Sequence, residues 1–424
     1  MNTSVAPANE SKVDGNHRQY SFGKFALVAG AILIGHYIVD TYSALMAPLL
    51  GVVEKSFSME PQQAALLLGV GSIFSGLAQP TFAWFSDRLN TRWFGAIGIL
   101  LAAVGIPMIG YASDSNYLFL IFAFGMIGVG MFHPIAASTI GHMAGDKRGL
   151  ALSWFFVFGM LGFVTGSLIG PALATGDHGL KGLWILLIPG IIIAVFLQFA
   201  IGDVQHKSES KSFHKPLSLG DYDWRTLTFL YFSAVFRFVV NMAFVYLLVR
   251  WMEQYVGTQN PSWSAKKVAD ASAPLAGNAN AVMIVGQLVG GLAAGAFVKG
   301  GNEKVALVWV PILLCPAFVA LAYLQPGTWG YVACFVGGAG FGSMTPVAMS
   351  LGQRLMPQHT SLASGLMLGG GWVIASFGPR LAEYSIASYG LATTFMLTAA
   401  TLALSGICAV GLNRESVRFG FQVK

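Results

Sequence analysis

Charge is what this sequence has least of. Only 10% of its 424 residues are Asp, Glu, Lys or Arg, against 55% that are hydrophobic. Soluble domains carry roughly 25% charged residues; with so few, a water-exposed surface would present apolar patches that aggregate. The shortage excludes an ordinary soluble fold and points to lipid as the solvent. Cysteine is scarcer still: Cys315, Cys334 and Cys408 form an odd set inside apolar stretches. Without a C-x-x-C spacing, neither a disulfide framework nor a cysteine metal site is expected. H-E-x-x-H, G-x-x-x-x-G-K-[ST] and an appended catalytic segment are all missing. Metal and cofactor are therefore not expected, and neither is an enzyme or an ATP-driven pump. The formal net charge is +6, but the basic residues fall in short clusters between apolar runs. Nucleic acid is not an expected partner.

Long apolar runs are what the sequence has in plenty. A spanning helix needs about twenty mainly apolar residues. Such runs occur at 25–52, 62–84, 93–112, 116–141, 149–175, 181–201, 225–254, 277–299, 305–324, 329–354, 362–386 and 390–413. The polar opening, with Glu10, Lys12, Asp14 and Arg18, lacks the short early apolar core of a secretory signal. The first run is thus expected to stay in place as a helix. With the N-terminus inside, most of the 24 basic residues collect on one side. Cytoplasmic loops retain Lys and Arg, so both termini are predicted to be cytoplasmic, in a bacterial inner membrane.

The two halves resemble each other. Gly130-Met131-Phe132-His133-Pro134 in the fourth run matches Gly342-Ser343-Met344-Thr345-Pro346 in the tenth, half a chain length later. Gly125 pairs with Gly337 by the same offset, and Gly170-Pro171 in the fifth run answers Gly378-Pro379 in the eleventh. The predicted fold is an all-α membrane protein of about twelve helices in two pseudo-repeated six-helix bundles. Its predicted parts are a tail at 1–24, bundles at 25–203 and 225–413, a polar linker at 204–224 and a second tail at 414–424.

The turn Ala83-Trp84-Phe85-Ser86-Asp87-Arg88-Leu89-Asn90-Thr91-Arg92 resembles G-x-x-x-D-[RK]-x-G-[RK]-[RK], the cytoplasmic motif of the major facilitator superfamily. Asp87, Arg88 and Arg92 match, whereas Ala83, Asn90 and Thr91 depart. Gly166-x-x-x-Gly170-Pro171 resembles that superfamily's antiporter motif. Within it, the chain is similar to the fosmidomycin-resistance exporters. That likeness is carried by His36-x-x-x-Asp40, Gln79-Pro80, Phe132-His133-Pro134, Arg148-Gly149-Leu150-Ala151, Leu355-Met356-Pro357 and Ser364-Gly365-Leu366. The resemblance implies a monomeric secondary transporter working by alternating access: a proton-coupled exporter of a small anionic or amphipathic compound. Uptake with protons or facilitated diffusion of an organic anion is the alternative, and a membrane receptor or enzyme the remaining class.

Ionisable groups at bilayer depth cost roughly 2.5–3.5 kcal/mol each on insertion scales and mark functional sites. His36 and Asp40, four apart, share a helical face, which the resemblance turns toward the central path. Asp40 is the expected proton-coupling acid, with His36 as its modulator. The other reading is a structural polar contact. His133, before Pro134, is a candidate for substrate or proton contact. Arg237 and Asn241, again four apart, offer a guanidinium fork suited to carboxylate or phosphonate; an internal pair with Asp40 is the other reading. Tyr37 and Thr345 complete the expected substrate residues, and Asp87, Arg88 and Arg92 the expected gate. Arg380 and Glu383, three apart, read as a local pair, and Arg250 with Glu253 as an external entrance.

Overall fold

The computed structural model describes residues 21–86, 92–202, 222–298, 300–357, 363 and 365–419, and among them there is no strand. Helices follow the apolar runs in order. They are α1 (Phe22–Ser56), α2 (Pro61–Ser86), α3 (Phe94–Gly105), α4 (Ser115–Met143) and α5 (Arg148–Ala174). Then come α6 (Leu187–Ile201), α7 (Trp224–Gln259), α8 (Ala265–Phe297), α9 (Glu303–Leu321) and α10 (Thr328–Leu355). A π-helical turn at Gly365–Gly370 leads into α11 (Gly371–Ala375), α12 (Gly378–Val410) and the short α13 (Arg414–Phe419). Most of the expected linker and both extreme tails lie outside the described residues, as do Asp87 and Arg88.

Local chemistry fixes several helix starts. Asp114 caps α4 by accepting the Tyr117 backbone N–H at 2.9 Å, and that hydrogen bond holds its carboxyl below the usual range. Asp223 caps α7 in the same way, accepting from Thr226 N–H at 3.0 Å.

Among the described residues, eleven helices are long and apolar enough to cross a membrane, the last of them Gly371–Val410 with 40 residues. That last one is two crossings. Gly390 adopts φ 81°, which ends one helix and begins another. Ser385 Oγ lies 2.8 Å from Thr394 Oγ1 across it. In a continuous helix residues nine apart stand about 13 Å apart along the axis, beyond the reach of two short hydroxyl side chains. The chain therefore doubles back at Gly390, and twelve crossings result. Large apolar side chains such as Leu120, Phe199 and Leu313 are exposed around the outside, where lipid takes the place of water.

The predicted start of the eighth run at 277 is corrected to Ala265, and α7 runs on to Gln259. The polar Lys266, Lys267 and Asp270 hid a helix capped by Ser264. The segment after the seventh run is thus a helical hairpin, with the Lys267 ammonium over the Trp263 ring at 4.1 Å.

Packing repeats between the halves. In the first, α1 packs on α5, and α4 on both α2 and α3; in the second, α7 packs on α12, and α10 on both α8 and α9. The two bundles meet along α5–α8 and where α2 crosses α11 and α12. The glycines of the repeated motif carry the same task in each half. A Cβ at Gly130 would strike Ser75 on α2, and one at Gly342 would strike Gln287 on α8.

Along α5, Gly159, Gly162, Gly166 and Gly170 form one stripe against α1. Small residues at such spacing let two backbones approach closely. A Cβ at Gly162 would collide with the Tyr37 carbonyl oxygen, and one at Gly166 with that of Thr41. The antiporter-like motif is here a packing seam. Gly166→Leu is expected to destabilise the protein by about 1–3 kcal/mol through overpacking, read as a lower melting temperature in detergent; an unchanged melting temperature would refute the seam.

Candidate functional site

The seam places α1 side chains at the middle of the first bundle. His36 and Asp40 lie one turn apart there, 5% and 4% exposed. The His36 Nε2 stands 3.1 Å from Asp40 Oδ2. From α4, His133 Nε2 stands 3.2 Å from Asp40 Oδ1, within ion-pair distance but off the line of a hydrogen bond. His133 is thus brought to His36 and Asp40 rather than to Arg237. Phe155 of α5 stacks on the His36 ring at 3.7 Å between centroids. Gly159 makes room for the set, because a Cβ there would run into Asp40 Oδ2 and His36.

The far edges of both rings are pinned. His36 Nδ1 meets the Phe155 carbonyl at 2.8 Å, and His133 Nδ1 meets the Val129 carbonyl at 2.7 Å. Pro134 frees the next carbonyl, that of Gly130, from its helical donor; the His133 ring curls back onto its neighbour. A carbonyl only accepts, so each Nδ1 must donate. A neutral ring then keeps a lone pair at Nε2, beside a carboxylate oxygen. Two acceptors at about 3 Å repel unless a cation sits between them. The three donor atoms lie within 4.8 Å of one another. That spacing suits shared protons, and is also compact enough for one small divalent ion.

The second bundle holds the opposite charge. Arg237 on α7 is 3% exposed. Its Nε–H donates to the Ser233 carbonyl at 3.1 Å, while Nη1 is enclosed without an acceptor. Arg237 lines a small cavity with Phe238, Phe341, Thr345, Ala348 and Met367. Asn241, one turn on, lines a neighbouring small cavity that shares Phe341. The expected pairing of Arg237 with Asp40 is not formed, because both carboxylate oxygens are taken up by the histidines. Tyr37 is directed elsewhere, donating to Thr165 Oγ1 on α5 at 2.9 Å. Arg92 is exposed and covers the Trp93 ring at 5.7 Å.

A third cluster closes the end opposite the N-terminus. Arg250 of α7 pairs with Glu54 of α1, across the two halves. It also donates to Glu253 Oε2 at 2.7 Å and to the Tyr246 hydroxyl at 2.8 Å. Tyr246 in turn donates to Glu383 Oε2 at 2.5 Å. The expected Arg380–Glu383 pair is corrected accordingly: Glu383 turns inward to Tyr246, and Arg380 is exposed. Lys55 reaches Glu54 Oε1 at 2.5 Å. Glu54 carried no sequence signal, lying just past the run at 25–52, and Glu383 was legible only as a neighbour of Arg380; Gly159 carried none beyond being a glycine in an apolar run. Arg250→Met should leave Glu253 and Glu383 without a cation and Glu54 with Lys55 alone, and lower stability by about 3–5 kcal/mol, with Arg250→Lys intermediate. Thermal unfolding of the two variants checks it; equal stability of Arg250→Met and wild type would dismiss the cluster as a lock.

The model of the Major Facilitator Superfamily matches residues 32–379. The chain is 27% identical over 185 residues to the Fosmidomycin resistance protein of Escherichia coli (strain K12), covering 42% of this chain and 43% of that one. It is 26% identical over 170 residues to Protein spinster homolog 3 of Danio rerio, covering 38% and 33%. These matches span less than half the length of either relative. The crystal structure of a bacterial homolog to the human lysosomal transporter Spinster, inward-facing and unoccupied, superposes with a TM-score of 0.68 at 17% identity, covering 96% of this chain and 100% of that one. The chain belongs to the Major Facilitator Superfamily and is a multi-pass membrane transporter, not an enzyme.

Proposed function

We propose that the protein is a proton-coupled exporter of a small anionic or amphipathic compound, exchanging protons for solute by alternating access. The observation that carries this reading is the convergence of two pinned imidazoles on one buried carboxylate. Such a set holds a variable number of protons, and its net charge changes with each. Empty of Nε2 protons it carries one negative charge; with both it carries one positive. A bundle interior in lipid tolerates these states unequally, so loading and unloading shift the balance between conformations. Asp40 and His36 are the coupling pair, and His133 serves as their third member.

Export as the direction is supported by the likeness to a protein named for resistance. The basic residues favour cytoplasmic termini in a bacterial inner membrane, and a monomer suffices for the cycle. Asp87, Arg88 and Arg92 are assigned to the cytoplasmic gate, and the Glu54–Arg250 bridge to the opposite one. One proton crossing 100 mV yields about 2.3 kcal/mol, enough to accumulate a solute severalfold.

The test uses everted vesicles with an acid interior. Phosphonates, organic acids and cationic drugs are added while the pH gradient is followed. Wild type is expected to dissipate the gradient with one class of compound, and Asp40→Asn to lose that response while keeping solute exchange. Full proton-driven transport in Asp40→Asn would remove Asp40 from coupling. Solute-driven alkalinisation only in the opposite vesicle orientation would favour uptake.

A further inference from the structure

Arg237 is a buried cation for which the described residues supply no carboxylate. Its Nη1 has neither solvent nor acceptor, and the other charged clusters are already self-paired. A buried guanidinium left without a counter-charge is strongly unfavourable, so a membrane protein keeping one there reserves it for a ligand. The cavity beside it is apolar apart from Thr345: Phe238, Phe341 and Met367 form its walls. Trp372 backs Phe238 with ring centroids 4.8 Å apart, which makes that wall stiff. Only one fixed positive charge faces the space. The free space there is close to that of a single water, far below the roughly 300–1,000 Å³ typical of drug-sized ligands, so a ligand entering it must be compact.

From these we propose that the second bundle binds a compact organic monoanion, its single anionic group on Arg237 and Thr345 and its apolar body against Phe238, Phe341 and Met367. The proposal deepens the transport reading by naming the substrate class, and rests on it only in taking this cavity as the substrate's. The size and the single charge are the new content. A dianion leaves its second charge without a partner in an apolar chamber. A long-chain lipid anion exceeds the chamber. A cation meets Arg237 with like charge.

Purified full-length protein in lipid nanodiscs is titrated by thermal shift with benzoate, benzenesulfonate, benzamide, benzylamine, terephthalate, inorganic phosphate and dodecyl phosphate. Benzoate and benzenesulfonate are expected to stabilise it saturably, and the other five to be at least roughly tenfold weaker. Arg237→Gln should weaken benzoate binding at least roughly tenfold, since the contact loses its charge, and Arg237→Lys by less. Ala348 also lines the chamber, so Ala348→Leu keeps the charge, fills the space and should abolish the response; it remains informative if Arg237→Gln does not fold. Equal binding of benzamide and benzoate, or an unchanged Arg237→Gln, would overturn the anion site. Preference for dodecyl phosphate, terephthalate or inorganic phosphate would overturn the compact monoanion. Arg237-dependent benzoate binding without proton movement in vesicles leaves this inference standing and sinks proton coupling. Proton movement driven by cations alone does the reverse.

Discussion

Lipid offers no hydrogen bonds, and that single constraint governs the rest of this structure. Every polar group at bilayer depth must find its partner within the chain or in a ligand. The chain meets the demand in three separate places. Asp40 finds two histidines, Arg250 finds Glu54, Glu253 and Tyr246, and the helix backbones satisfy themselves. Glycine makes the first of these reachable. Without the bare face of α5, α1 would stand off by the width of a side chain and the ring of His36 would not reach the Phe155 carbonyl. Packing and electrostatics are here one problem, because the contact that closes the seam also orients the imidazole.

Much of the fold was legible because lipid imposes a length on every crossing. Twelve runs stood out by hydropathy, and the break between 386 and 390 anticipated the reversal at Gly390. The misjudged start of α8 has a plain cause. Lys266, Lys267 and Asp270 extend the helix beyond the apolar region, and Pro274 lies inside it. Hydropathy measures the part of a helix in oil and is blind to its wet end. The repeat was legible as well, since Gly130 and Gly342 face equivalent neighbours in equivalent helix pairs.

The candidate site was legible only along one helix at a time. His36 with Asp40 follows from helical spacing, as does Arg237 with Asn241. What joins different helices did not follow. His133 reaches Asp40 through the crossing of α4 and α1, and Glu383 prefers a tyrosine on another helix to the arginine three residues away. Opposite charges in an apolar chain suggest pairing, so Asp40 and Arg237 looked like natural partners. The histidines break that logic, because each brings a proton when the carboxylate needs one.

That substitution matters for coupling. An Asp–Arg pair is a fixed neutral unit: neither member readily changes charge while the other remains beside it. Giving Asp40 two histidines instead yields a cluster whose charge follows its proton count. It also leaves Arg237 without a fixed counter-ion, and so free for an anion that comes and goes. In the proposed cycle one bundle therefore carries the variable charge and the other the permanent one. Proton and anion need not touch to be coupled. Each changes the charge of its own half, and both halves share the seams α5–α8 and α2–α12. A direct Asp40–Arg237 bridge would neutralise both sites at once and leave neither ligand a reason to bind.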